Sequence, residues 1–349
     1  MIIAFSYICD IKFFCLVNTE VFMIKINKII CPIIFFLIIS WSAFSQEKID
    51  DIEVIGISPL PGIEIDRNKV PNASQSLREI DMESSTATTI VDLLGEKLTG
   101  VTIKDVQNSP FQKNLDYRGF TAAPLLGESQ GLAVYLNGTR INEGFGDTLQ
   151  WELVPEAALT NIDLMSANPV FGLNALGGSL ALTTKKGLDY LNTDSSIENH
   201  FEVGGADWVN GNIELGAGTE TQGLYVAMEN SYDGGWRDNS AGDVKRLFVN
   251  YGILGDNFDY DFTFMNADSN LNGNGVSPTE LLKVRRESVF TWPDFTSNKV
   301  YLAASNANFY LENDSAINTS IYYRRLIRDT MNADELDAVS YTHLRAHET

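Results

Sequence analysis

From about residue 196 onward, apolar side chains fall on every second position in a series of long segments. Ile213, Leu215 and Ala217 share one face, with Asn212, Glu214 and Gly216 on the other. The device recurs through Leu224, Val226 and Met228, through Leu247, Val249, Tyr251 and Ile253, and through Tyr260, Phe262 and Phe264. Val300 and Leu302, then Ile317, Thr319, Ile321 and Tyr323, continue it. Apolar-out, polar-in alternation over ~10 residues is the pattern of a strand crossing a membrane in a barrel. About seven such strands are expected over residues 196–328, the first near 197–203. The links at 218–222, 255–257 and 312–315 are tight, whereas those at 233–243 and 268–297 are long. A soluble sandwich also alternates, but has no need of links that alternate in length. Short turns on the periplasmic side and long loops outside are what a barrel requires.

The preceding region has another texture. Residues 101–106, 132–136, 161–165 and 179–184 read as short apolar strands. After the second of these, Asn137-Gly138 predicts a type I′ hairpin turn, which needs positive φ at both central positions. Pro155 opens a short helical turn, where its missing N–H costs nothing. Ser84 or Ser85 is expected to cap a helix whose stripe is Ile90, Val91, Leu94 and Leu98, and Gly100 to end it. Residues 109–114 and 121–130 read as loops. Gly172, Gly177 and Gly178 predict either positive φ or backbone packed against another surface.

Several of these pieces, in this order, resemble the plug domain of TonB-dependent outer-membrane receptors. Arg118-Gly119-Phe120 matches the family's Arg-Gly-Phe, and residues 134–141 its hairpin, with Asn137 where Asp is usual. Residues 170–185 match its glycine-rich run, which contains Gly172, Gly177 and Gly178. One departure is Ala167-Asn168-Pro169, where the family has Arg-Gly-Pro. The resemblance implies an α+β plug domain over residues 63–190, followed by an incomplete antiparallel transmembrane β-barrel. Family members close a plugged barrel of roughly 22 strands, so seven leave an open edge that lipid cannot satisfy. The bland alternative is a small secreted α+β domain.

The ends are read separately. Residues 1–45 resemble a secretory leader: Lys25 and Lys28, an apolar run at 29–41, then Ala43 and Ser45, with Met23 as a plausible true start. Over residues 46–62, Asp51, Ile52, Glu53, Val54 and Ile55 sit where the family carries its TonB box, ahead of a Pro/Gly linker. That segment is an extended strand donor for the energy-transducing inner-membrane partner; the alternative is a first plug strand. Residues 340–349 fit neither pattern and are set aside as a non-native tail.

A net charge of −21 argues against nucleic acid. Cys9, Cys15 and Cys31 all fall in the leader, and the three histidines are scattered, so neither a disulfide framework nor an imidazole metal centre is expected. No catalytic triad, CxxC or phosphate loop is present, and no cofactor is expected. The resemblance implies energised import of a scarce bulky nutrient across a bacterial outer membrane, with a ferric siderophore or other iron chelate as the commonest cargo. Its partners are then the TonB complex, outer-membrane lipid or lipopolysaccharide, and the chelate. Candidate substrate residues are Phe111, Gln112 and Phe145 on plug loops, and Lys283, Arg285, Arg286 and Trp292 in the longest external loop. Each of these has a bland reading as loop packing or lipopolysaccharide contact. Arg324, Arg325 and Arg328 are assigned to lipopolysaccharide. A passive porin and a surface adhesin are the competing classes.

Overall fold

The computed structural model describes residues 16–17, 20–21, 74–168, 171–311 and 315–333. The leader, the TonB-box segment Asp51 to Ile55, the expected plug start at Ile63 and the tail 340–349 lie outside the described residues, apart from a lone ladder pairing Leu16–Val17 with Glu20–Val21 in a separate N-terminal unit.

In the second unit, β1 (Ser74–Arg78) leads into a short helix α1 (Glu79–Glu83) and then α2 (Ile90–Lys97). The expected cap moves. Thr89, not Ser84 or Ser85, holds the α2 N-terminus: its hydroxyl accepts from the Asp92 N–H at 3.4 Å and donates to the Asp92 carboxylate at 2.9 Å. Ser84 instead closes α1, and the Ser85 hydroxyl is taken up by the Ala87 N–H and the Glu96 carboxylate. The apolar stripe is as expected, with Leu93 added, and faces the core.

A small sheet follows: β2 (Val101–Lys104), β3 (Asn114–Tyr117) and β4 (Phe120–Ala122). Then come β5 (Leu132–Leu136), β6 (Thr139–Arg140), β7 (Leu159–Ser166) and β8 (Gly178–Thr184). Together with β1 these make a five-stranded sheet in the order β1-β7-β8-β5-β6, in which β5 and β8 run parallel. Every residue of β5 is buried, as a strand covered on both faces must be. Asn137 and Gly138 have φ of 47° and 81°, the expected type I′ geometry.

The remaining strands are β9 (Ser196–Val203), β10 (Val209–Gly218), β11 (Gln222–Asp233), β12 (Gly242–Leu254), β13 (Phe258–Asn272), β14 (Phe295–Tyr310) and β15 (Ala316–Met331). They pair antiparallel in chain order as one open sheet. The long loop before β14 shrinks to residues 273–294, because β13 and β14 extend into it; it carries α3 (Thr279–Val284). The link at 204–208 is tight, although it lies on the long-loop side: Ala206 and Asp207 both take positive φ and close it.

One face of the sheet is apolar and uncovered. Ile213 and Leu215 are 38% and 37% exposed, and Ile197, Leu224, Met228 and Ile321 share that outlook. The opposite face carries Glu214, Glu229, Arg246, Asn250 and Thr263, buried against the plug. Val300 and Leu302 correct the expectation: they point inward, buried in the plug's own apolar cluster. They pair with inward Ala267 and Met265, while Lys299, Tyr301 and Ala303 take the outer face. β14 is apolar on both faces here, so its periodicity does not say which side faces lipid.

Candidate functional site

The Arg-Gly-Phe motif is a turn. Arg118 and Gly119 have φ of 53° and 90°, and Tyr117 pairs with Phe120 across them. The glycine-rich run is split between the two expected reasons. Gly172 has φ 90°, whereas a Cβ on Gly177 would strike the Phe120 ring and one on Gly178 would lie 2.5 Å from the Met165 carbonyl. The motifs thus interlock, with the Arg118 guanidinium 4.9 Å from the Tyr117 ring centre.

The plug meets the strand wall through buried ion pairs beside an apolar contact. Arg246 of β12 donates from Nη1 to Glu229 at 2.8 Å, from Nη2 to Glu156 at 2.9 Å, and from Nε to the Glu152 carbonyl at 2.6 Å. Glu156 also accepts the first N–H of α2, from Ile90, and Glu229 accepts the Ala157 N–H. Burial pushes the Glu156 carboxyl up to about 7; Arg246 opposes that shift and Glu229 adds to it. Burial likewise raises the Glu152 carboxyl, against the Asn298 amide that donates to it at 2.8 Å. Two carboxylates and a backbone carbonyl thus hold one guanidinium. A buried cluster of this kind returns little net stability, because desolvation offsets the attraction, yet removing one partner is costly.

A second contact centres on Lys185, at the end of β8. Its ammonium lies 2.6 Å from Glu214, 3.1 Å from Glu79 and 3.6 Å from Glu198. Burial works against that charge, but the neighbouring carboxylates outweigh it and hold the group above the ordinary lysine range. Between these contacts a cavity of about 630 Å³ separates residues 79–88 of the plug from β9–β11. A third contact is Arg324 to Glu143, at 2.6 and 3.1 Å. Arg324 therefore faces the plug, and Arg328 donates to the Asn298 side chain at 2.9 Å, so neither serves lipopolysaccharide. Arg325 alone of the three faces outward. Inward contacts are set by register on the strand, which three neighbouring arginines do not reveal.

At the loop end, Phe111 is buried and stacks on Trp208, with ring centres 5.4 Å apart. Gln112 is buried beside it. Phe145 is 80% exposed, on the separate plug loop that carries Glu143. Arg285 pairs with Asp238, and Arg286 lies 5.8 Å from the Trp236 ring centre. Lys283 is exposed on α3 and Trp292 is 60% exposed. The structure thus gathers Arg285 and Arg286 but leaves Phe145 apart. It also adds residues that the sequence reading missed. Trp236 donates its N–H to Asn108 at the plug apex at 3.0 Å. Arg237 clasps the two external loops together through the Gly275 carbonyl, the Ser277 hydroxyl and the Ser288 carbonyl. The adjacent Trp236-Arg237 pair in the loop at 233–243 is the sequence signal for them.

Residues 66–179 match the family described as the TonB-dependent Receptor Plug Domain. No curated protein sequence matches the chain. Among solved structures, the ferripyoverdine receptor of the Pseudomonas aeruginosa outer membrane, bound to ferripyoverdine, is similar at TM-score 0.64 and 11% identity, covering 81% of this chain and 38% of that one. The ferric citrate transporter FecA in its unliganded form gives 0.62 and 16%, with 75% and 41% covered. The ferric yersiniabactin uptake receptor FyuA from Yersinia pestis gives 0.61 and 14%, with 76% and 42% covered. The chain thus spans well under half the length of these structures. Residues 66–179 thus belong to the TonB-dependent receptor plug domain family, and the plug is seated on the inner face of an open antiparallel sheet whose fold is that of such receptors.

Proposed function

We propose that this chain is the plug and leading barrel portion of an energised importer of iron chelates in a bacterial outer membrane. The observation that carries the reading is the plug seated by ion pairs on the inner face of strands whose outer face is apolar. Such a seat excludes solutes at rest and is held by contacts that separate at modest net cost. Cargo would bind outside, at Trp236, Arg237 and Arg286 above the plug apex, with Lys283, Arg285 and Trp292 around them. Guanidinium groups beside an indole suit an anionic, ring-bearing chelate. Ferric chelates named for the similar receptors support that class. Phe111 and Gln112 support the site from below rather than contacting cargo, since both are buried.

Binding would shift the population in which the segment Asp51 to Ile55 is exposed to the TonB complex, which pairs with it as an added strand and pulls. The remaining partner is outer-membrane lipid on the apolar strand face. The test is accumulation of a radioiron-labelled chelate in cells. Uptake abolished by a protonophore, and by deletion of residues 52–55, is expected; uptake indifferent to both would make the protein a passive pore, and surface retention without internal label an adhesin.

A further inference from the structure

The outer face of the wall is not uniform from strand to strand. On β9, β10 and β11 the outward positions, every second residue through Ile197, Ile213 and Met228, carry no charge. At β12 the pattern changes. Ladder pairing sets Lys245 opposite Asp268 and Asp268 opposite Lys299, all three on the outer face. One pleat toward the tight turns, Tyr301 lies opposite Arg325, which places that guanidinium diagonal to Lys299. With neighbouring strands ~4.8 Å apart, the two lysines are rooted about 10 Å from each other, and the diagonal pair ~7–8 Å.

The Lys299 ammonium reaches Asp268 at 3.0 Å. Lys245 and Arg325 are exposed, and among the described residues no carboxylate lies within ion-pair distance of either. Toward the tight turns the same strands present apolar or aromatic side chains: Leu247 and Val249, Phe264, Ala303 and Tyr323. On β12 the apolar outward run from Leu247 to Ile253 covers ~20 Å of strand, of the order of the apolar band of a membrane barrel. The three cations therefore stand where hydrocarbon gives way to headgroups on the long-loop side. A long cationic side chain at that border extends its head into the headgroup layer, and phosphate is the anion that layer offers. Asp243 and Asp329 are also outward, one ladder row nearer the loops, so the cations rather than these acids meet the layer next to the hydrocarbon.

We propose that Lys245, Lys299 and Arg325 form a seat on the outer wall for the phosphorylated headgroup of an outer-leaflet lipid, with Asp268 ordering Lys299 within it. Ammonium groups act as point donors to phosphate oxygens, and the Arg325 guanidinium offers a fork of two. Cations spread over three strands suit a glycolipid bearing two phosphates better than a headgroup bearing one. The seat takes from the import reading only its placement in the outer membrane. It uses the lipid side of the wall and none of the residues assigned to cargo.

The test is native mass spectrometry of the protein released from phosphatidylcholine nanodiscs that contain either lipid A or phosphatidylglycerol. The unaltered protein should retain lipid A. Lys245→Gln with Lys299→Gln and Arg325→Gln should lower that retention about a hundredfold, a factor of roughly five for each cation. Lys245→Arg with Lys299→Arg should preserve it and Asp268→Asn should raise it, so two further readouts remain should the triple variant fail to insert. Equal retention of phosphatidylglycerol, displacement of lipid A by millimolar inorganic phosphate, undiminished retention in the triple variant, or a fall with Asp268→Asn overturns the proposal. Iron uptake by cells is measured on the same variants. Its absence from the unaltered protein would count against the import reading alone, because lipid retention is scored on the purified protein.

Discussion

The interior of the plug and its boundary with the strand wall are held by different mixtures of forces, since buried ion pairs join apolar contact at the boundary. Inside the plug, β5, β7 and β8 are locked by apolar burial, with Trp151, Leu94, Leu132 and Ile162 almost fully enclosed. Between plug and wall, Arg246, Lys185 and Arg324 reach to carboxylates across the boundary. Apolar burial is non-directional and persists through small shifts, whereas a buried ion pair depends on its geometry. The first suits a body that stays folded, and the second suits the separable boundary that the proposed import calls for. Apolar contact crosses the boundary as well: Tyr225, Ala227, Phe248, Met265, Ala267, Val300 and Leu302 of the wall lie in the plug's own core cluster, and they bound how freely the two separate.

The largest effect is expected inside the plug. Trp151→Ala removes a buried indole whose N–H donates to the Ala122 carbonyl at 3.0 Å; it should cost about 3–5 kcal/mol, read as a lower urea midpoint for plug unfolding. Arg246→Met comes next. It strands Glu156 and Glu229 without their counter-charge and should cost up to about 3–5 kcal/mol, read as raised protease access to the plug. Adding Glu156→Gln and Glu229→Gln should restore much of that loss; no restoration would mean that Arg246 acts through packing rather than charge.

A smaller effect follows from pH. The Glu156 carboxyl titrates at about 7 in the folded protein, above its ordinary value of 4.5. A group raised on folding binds its proton more tightly in the folded state, so its contribution is full below pH 4.5 and is lost as pH rises toward 7. Plug retention should therefore weaken across that window, and Glu156→Gln should reduce the slope. The smallest effect is outside. Arg286→Ala removes an exposed cation from the Trp236 face and should weaken chelate binding by about 0.5–1 kcal/mol, measured by titration on whole cells, without altering plug stability.

Where structure is set by near neighbours, the sequence was legible. Asn137-Gly138 turns as its residue types require, Pro155 precedes its 3₁₀ turn, and strict alternation marks the faces of β10 to β13. The cap of α2 was missed because five hydroxyl residues fall within the six positions 84–89, and the choice fell to partners as distant as Glu96. On the wall, the alternation of β14 leaves its face undecided, and pairing with β13 settles it. The candidate substrate residues show the same division. Trp236, Arg237 and Arg286 come from different parts of two loops and meet because Arg237 clasps those loops together.

The sequence by itself determined a plug and a series of strands with one apolar face, because turn chemistry and a period of two are properties of adjacent residues. Tertiary structure alone decided which carboxylates meet Arg246 and which way Arg324 faces. Those depend on strand register and on one body packing inside another, and neither is written in any local stretch of chain.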